Sequence, residues 1–278
     1  MKSVISVPRR ASPRRSFSGG ISTQSRTTEI SPRLTSNEKT YYVPSINRTS
    51  RTNRCIVLDL DETLLSSKET QNEMKINKIL DKAGVKLKRR MYKFKTENLD
   101  ELGSGSISYV YGVTRPHLSE FLIFCFTYFK VVAVWSAGGY DYVHNIVNTI
   151  FSRSIRYPDI VWTRLETEFP KTGVLKPLVK MINSNDSMDL SNTLIVDDNV
   201  TTYILNPDNA INIPVYRTAD TIESMSLDDP SLLQLMKWFQ LREVMEAEDV
   251  RDLDKSSIFN VTLDEYDTIL QNENRMNS

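Results

Sequence analysis

Uninterrupted apolar runs that stop abruptly at polar residues set the pattern of this chain. Ile56-Val57-Leu58 runs into Asp59, Val131-Val132-Ala133-Val134-Trp135 into Ser136, and Leu194-Ile195-Val196 into Asp197. Strands buried on both faces read as such runs rather than as an alternation. Residues 159–162 and 211–216 predict two further short strands, and Pro214 suits the last of them to a sheet margin. Val143, Ile146, Val147, Ile150 and Phe151 recur at helical spacing. Leu118, Phe121, Leu122 and residues 124–126 predict a helix with Pro116 in its first turn. Residues 200–205 read as a short helical turn, and 232–241 as a closing helix. Strands alternating with helices imply an α/β fold, a Rossmann-like, doubly wound and mostly parallel sheet.

Between the first two runs lies an insert, residues 66–112. Its apolar spacing predicts a helix over 73–83 that Gly84 stops. Two strands follow, over 91–95 and 106–113, joined through Gly103-Ser104-Gly105. One helix and a small antiparallel sheet leave no room for a large cap domain. Residues 1–50 are rich in Ser, Arg, Thr and Pro and poor in aliphatics, which predicts disorder. Residues 242–278 read as an acidic tail with short helices at most.

The formal net charge is zero, but residues 1–54 carry eleven Lys/Arg against two acids and residues 241–278 ten acids against four Lys/Arg. A basic leading segment suits nucleic acid or an acidic protein, and equally a solvated linker. Cys55 and Cys125 both sit in apolar runs, with only His117 and His144 beside them in composition. That excludes a disulfide framework and a Cys/His zinc site. The longest apolar stretch, 121–135, contains Lys130 and is too short to span a membrane. No apolar leader follows the first residues. The expectation is a soluble intracellular protein, nuclear or cytoplasmic.

Asp59, Ser136 and Asp197-Asp198 each fall at the C-terminal end of a predicted strand, where open α/β sheets bind ligands. Asp59 and Asp61 share one side if the strand geometry continues. Carboxylates that close repel unless a proton or a cation lies between them, and Mg²⁺ prefers such oxygens. The plain alternative is that they begin a turn or cap a helix.

The stretch 55–65, C-I-V-L-D-L-D-E-T-L-L, resembles the first motif of the haloacid dehalogenase (HAD) superfamily. It resembles more closely the phosphatases that act on the C-terminal domain of RNA polymerase II and their small NLI-interacting-factor-like relatives. R-P-H with E-F-L over 115–122, L-I-V-D-D-N over 194–199 and Y-I-L-N-P-D-N-A-I over 203–211 continue the resemblance. It covers roughly residues 54–240, which makes 51–241 a phosphatase domain of HAD type.

The resemblance implies Asp59 as a nucleophile that forms an aspartyl-phosphate, with Asp61 as general acid and base. It implies Mg²⁺ held by Asp59, the Asp61 carbonyl and Asp198. The Ser136 hydroxyl and the amide at Ala137 would bind phosphate; alone, Ser136 reads as a helix N-cap. Lys176, in V-L-K-P-L, would be the third-motif lysine, oriented by Asp197. Pro177 departs from the family's K-D-L and Lys171 lies five residues earlier, so both lysines stay open. Arg164 stands where the small enzymes grip the substrate phosphate. The implied substrate is phosphoserine or phosphothreonine in a protein segment of the polymerase-tail type. Tyr92, Phe94, Tyr109 and Tyr111 would pack on its proline or simply hold the small sheet together. A binding module of the same fold with little catalysis and a small-molecule phosphatase are the competing readings.

Overall fold

The computed structural model describes residues 50–97, 107–152, 156–171 and 173–276. The segment 1–49 and the turn expected at Gly103-Ser104-Gly105 lie outside the described residues. From β1 (Cys55–Leu58) the chain enters the insert: β2 (Leu65–Thr70), α1 (Glu73–Lys82), α2 (Val85–Arg90), β3 (Met91–Glu97) and β4 (Ile107–Thr114). It returns through α3 (Leu118–Tyr128), β5 (Val131–Trp135), α4 (Tyr140–Phe151), β6 (Ile160–Trp162), α5 (Leu178–Ile182), β7 (Thr193–Asp197) and β8 (Ala210–Asn212). It closes with α6 (Ile222–Ser226), α7 (Ser231–Trp238), α8 (Arg242–Glu246) and α9 (Leu263–Met276).

The main sheet is parallel, in the order β6-β5-β1-β7-β8, with β1 at its centre. Strand alternation explains the unbroken apolar runs. Ile56, Leu58, Val132, Val134, Leu194 and Val196 join one core with α3, α4 and α7. Cys55, Val57, Val131, Ala133, Trp135 and Ile195 join another with Leu178 and Met181 of α5. Burying each such aliphatic side chain contributes about 1.5–3 kcal/mol, which anchors the strand ends where the polar residues begin. Burial also pushes the Cys55 thiol up to about 11, so it stays an unreactive core residue.

The insert forms an antiparallel sheet, β2-β4-β3, with α1 and α2 packed through Ile76 and Leu87. It has a third strand and a second helix that the sequence pattern hid. L-S-S-K-E-T of β2 shows no apolar alternation because its polar groups are used: Ser66 Oγ accepts the Thr218 N–H at 3.1 Å and Ser67 meets Tyr92. V-K-L-K-R-R of α2 buries Leu87 alone, too little for a visible stripe.

Other boundaries shift for identifiable reasons. Pro116 precedes α3 rather than opening it, and His117 takes the N-cap at φ 63°. Residues 200–205 make hydrogen-bonded turns instead of a helix. β8 ends at Asn212; Ile213 still bonds Asp197 O at 3.3 Å, but Pro214 has no N–H to continue the ladder. The expected acidic tail is folded: Val244, Val250, Ile258 and Tyr266 are buried in the main core. Those anchors are too widely spaced among acids to show a periodicity. No described helix is long and apolar enough to cross a membrane.

Candidate active site

The register of β1 on β7 pairs Leu58 with Val196, so Asp59 and Asp197 leave adjacent strands side by side. Both continue the face formed by Cys55, Val57 and Ile195, the face covered by α5. Lys176 enters that face just ahead of α5. Glu168 and Leu175 exchange two backbone hydrogen bonds that close a hairpin carrying Lys171, and Pro177 then caps α5. Between these the Lys176 N–H bonds Thr202 O at 2.6 Å. Its ammonium donates to Asp59 Oδ1 at 2.6 Å and to Asp197 Oδ2 at 2.7 Å. Lys176 is 1% exposed, whereas Lys171 lies on the surface. Lys176 is thus the lysine that meets Asp59, and Pro177 accommodates it by starting the helix one residue on.

Burial alone would lower the Lys176 ammonium, but Asp59 and Asp197 outweigh it and hold the charge in place. Burial raises the Asp59 carboxyl; Lys176 opposes that rise and Asp197 adds to it. The Asp197 carboxylate is fully engaged, since its Oδ1 also accepts the Asn199 N–H at 2.9 Å.

After Asp59 the chain turns sharply. Glu62 adopts φ 62°, and the N–H groups of Leu64 and Leu65 both return to Leu60 O. Asp61 is held by a different part of the fold: its Oδ1 accepts the Tyr142 hydroxyl of α4. Tyr142 Oη lies 2.6 Å from Ser67 Oγ of β2, which lies 2.7 Å from Tyr92 Oη of β3. With one proton per hydroxyl, the chain Tyr92–Ser67–Tyr142 delivers a donor to Asp61. Two glycines make it sterically possible. A Cβ on Gly112 of β4 would sit 2.1 Å from Ser66 O and 2.6 Å from Tyr92 Oη, and one on Gly138 would sit 2.6 Å from the Tyr142 ring. Burial raises the Asp61 carboxyl, and the hydrogen bond from Tyr142 tempers the rise.

Asp198 is fixed by Thr63, within the same motif as Asp59. The Thr63 hydroxyl donates to Asp198 Oδ1 at 3.1 Å and accepts the Asp198 N–H at 3.2 Å. Burial, then Asp197, raises Asp198. Ser136 follows β5; its Oγ accepts the Gly138 N–H at 3.0 Å, while Gly139 is the N-cap of α4. Asp59, Asp61, Ser136, Ala137, Lys176, Asp197 and Asp198 all line one cavity of about 180 Å³, the size of a phosphoryl group with its surroundings. Arg164 is not in that lining. Its N–H bonds Gly138 O at 2.9 Å, and its guanidinium lies 4.8 Å from the Phe169 ring centroid.

Carboxylate oxygens of Asp59, Asp197 and Asp198 lie within 4.8 Å of one another. Because Asp197 is engaged on both oxygens, Asp59 and Asp198 are the side chains free to ligate, and hard oxygens of this kind fit Mg²⁺. Sequence reasoning missed Thr63, Ser67 and Tyr142. Only Thr63, inside D-L-D-E-T-L-L, carried a local signal. It also missed Arg115, fully buried, which bonds Thr63 O at 2.9 Å, Pro214 O at 2.8 Å and both Asp229 oxygens at 2.9 Å. This guanidinium ties the turn after Asp59 to the segment that follows β8.

No curated protein matches this chain. Among solved structures, a variant of the fission yeast RNA polymerase II CTD phosphatase Fcp1 bound to beryllium fluoride is similar at 17% identity and a TM-score of 0.48. That match covers 80% of this chain and 65% of that one. A second structure of Fcp1, an essential RNA polymerase II CTD phosphatase, has 17% identity, a TM-score of 0.49 and coverage of 80% and 64%. This chain therefore spans slightly less than two thirds of either. The model of the NLI interacting factor-like phosphatases matches residues 54–251, which run from the start of β1 past α8 and include every side chain of the cavity. The protein belongs to the NLI interacting factor-like phosphatase family.

Proposed function

We propose that this protein is a Mg²⁺-dependent phosphatase acting on phosphoserine or phosphothreonine in a protein segment of the RNA polymerase II C-terminal-domain type. The observation that carries the proposal is the buried Asp59–Lys176–Asp197 bridge opening into a cavity that also holds Asp61 and Asp198.

In this reading Asp59 attacks phosphorus and forms an aspartyl-phosphate as the bond to the seryl oxygen breaks. Asp61 gives that oxygen its proton. Then, as a carboxylate, it takes a proton from the water that attacks phosphorus, releasing phosphate and restoring Asp59. Its raised pKa supports the donor role, and Tyr142 orients it. Lys176 holds Asp59 aimed and faces the phosphoryl oxygens, with Asp197 fixing Lys176. The Ser136 hydroxyl and the Ala137 amide would bind the phosphoryl oxygens from the remaining side. Mg²⁺, held by Asp59, Asp61 and Asp198, would supply the positive charge that offsets carboxylates and phosphoryl oxygens.

The cavity of about 180 Å³ is open to solvent on one side, which supports a substrate whose remainder extends outside it. The test is p-nitrophenyl phosphate hydrolysis with Mg²⁺ and with chelator, on the wild type and on Asp59→Asn. Turnover should need the metal and vanish in the variant, which keeps the shape of the nucleophile and, with Lys176 still paired to Asp197, its fold. Wild-type turnover in Asp59→Asn sinks the mechanism. A tenfold preference in kcat/KM for sugar or nucleotide phosphates over a phospho-Ser-Pro peptide would reject the substrate class while sparing the chemistry.

A further inference from the structure

We propose that the groove between α2 and the start of α3 docks an acidic segment of the phosphoprotein substrate, an inference that rests on the phosphatase reading. The groove has a volume of about 1120 Å³. Leu87, Met91, Tyr92, Pro116 and Leu118 contribute its apolar lining, and Lys86 and Arg89 stand exposed on the α2 wall. This wall belongs to an unusually charged part of the chain. Residues 73–95 carry nine Lys/Arg against two acids, within a protein of zero formal charge.

Part of that charge is already engaged: Lys75 meets Asp220 at 2.5 Å, Lys93 meets Glu73 at 3.0 Å, the Arg90 guanidinium bonds Thr114 O and the Tyr216 hydroxyl, and Arg89 and Lys95 have partners as well. Lys78, Lys82, Lys86 and Lys88 are also exposed along α1 and α2. The opposite wall carries Glu120 and Asp228, with Asp228 Oδ1 3.6 Å from His117 Nε2. Acidic groups of a docked segment are therefore drawn to the α2 wall and repelled from the other, which gives the site a polarity.

A half-enclosed groove with an apolar lining and one basic wall fits an extended polypeptide presenting apolar residues between acids. A flat bilayer would reach only the rim of such a recess, and the apolar lining would find no partner on the phosphate backbone of a duplex. The groove is linked to Asp61 through one of its lining residues. The Tyr92 side chain lines it, and the Tyr92 hydroxyl is the start of the Ser67–Tyr142 chain that ends on Asp61. One substrate chain can present its phosphoserine on one side of this tyrosine layer and its acidic segment on the other.

The test uses the full-length protein and the double variant Lys86→Glu/Arg89→Glu. Neither residue lines the catalytic cavity. Two phosphopeptides share a phosphoserine core, and one bears an appended Glu-rich segment with interspersed leucines. The wild type should show a KM about tenfold lower for the extended peptide, equivalent to about 1.4 kcal/mol. The advantage should shrink with salt and disappear in the variant, with kcat and p-nitrophenyl phosphate hydrolysis unchanged. Lys78→Glu/Lys82→Glu, outside the groove lining, controls for general field effects and should keep at least half of the advantage. A non-phosphorylated, fluorescently labelled acidic segment gives an activity-independent readout: its anisotropy should titrate with the wild type and not with the groove variant. Equal KM for both peptides, or an advantage that survives in the variant, overturns the proposal. So does tighter Lys86- and Arg89-dependent capture of duplex DNA or of phosphatidylserine vesicles than of the acidic segment. If the protein proves inactive on every phosphate ester yet binds the labelled segment through Lys86 and Arg89, the phosphatase reading fails and the groove stands.

Discussion

Replacing Lys176 by Met keeps the length of the side chain and removes the one charge that lies between Asp59 and Asp197. The ammonium is 1% exposed and within 2.7 Å of both carboxylates, which are themselves buried. Taking one partner from such a buried ionic group typically costs about 3–5 kcal/mol, because the remaining charges are left uncompensated. For a folded unit of this size each kcal/mol moves Tm by roughly 2–4 °C, so Tm should fall by roughly 6–20 °C. The loss should be smaller at pH 5 than at pH 8, since a proton on Asp59, whose carboxyl burial raises, can replace the missing charge at low pH. Activity on p-nitrophenyl phosphate should drop on the order of 100- to 1000-fold even at 10 °C, where the variant is folded. Adding Asp59→Asn to Lys176→Met should restore much of the Tm and none of the activity. Lys171→Ala, on the exposed hairpin, should change neither. A Lys176→Met enzyme with Tm and turnover within experimental error of the wild type would refute the reasoning, and a sensitive Lys171 would reverse the assignment.

Asp59, Asp61 and Asp198 all have raised carboxyls, Asp59 up to about 8, with burial the leading cause. Groups whose folded pKa lies above the unfolded value give stability that is present at acid pH and lost as pH rises through the folded value. The Asp59 contribution to Tm, measured in chelator as the difference between the wild type and Asp59→Asn, should therefore fall between pH 5 and pH 8, and Mg²⁺ should raise Tm more at pH 8 than at pH 5; a pH-independent difference would contradict this. Tyr142→Phe removes the donor to Asp61 and should slow an alkyl phosphate roughly tenfold more than p-nitrophenyl phosphate, whose leaving group needs little protonation. Equal losses on both substrates would assign Tyr142 a merely structural part. Asp229→Ala strands the fully buried Arg115 guanidinium and should cost about 3–5 kcal/mol in urea unfolding, with a shift under 1 kcal/mol counting against the clamp.

The parallel sheet was legible because each strand is buried on both faces and each apolar run stops where the chain emerges at the ligand-binding edge. Asp59, Ser136, Asp197 and Asp198 could be placed at one edge on those grounds, together with the motif resemblance, whereas only the fold separates Lys176 from Lys171, by burying Lys176 against Asp59. The insert was less legible, since β2 spends its side chains on hydroxyl and lysine contacts instead of apolar packing. The folded segment 242–276 was missed because Val244, Val250, Ile258 and Tyr266 reach the core one at a time. Arg164 was placed from a single spacing, and the fold stacks it on Phe169 outside the cavity. Tyr142 was invisible for a different reason. Its partner lies 81 residues earlier, and nothing in the local pattern of α4 separates it from an ordinary amphipathic tyrosine.

The hydroxyl chain from Tyr92 through Ser67 and Tyr142 has a consequence for modularity. An insert between two strands of an α/β sheet is commonly treated as a cassette, exchangeable between relatives to transfer substrate preference. Here the cassette supplies two of the three hydroxyls behind Asp61, and Gly112 is what lets them meet. A graft chosen only for its outer surface would unhook Asp61 from the hydroxyls behind it. A successful chimera would have to carry the positions of Ser67, Tyr92 and Gly112 together with the docking face. Changes of substrate in this scaffold are thereby confined to variations that preserve that internal seam.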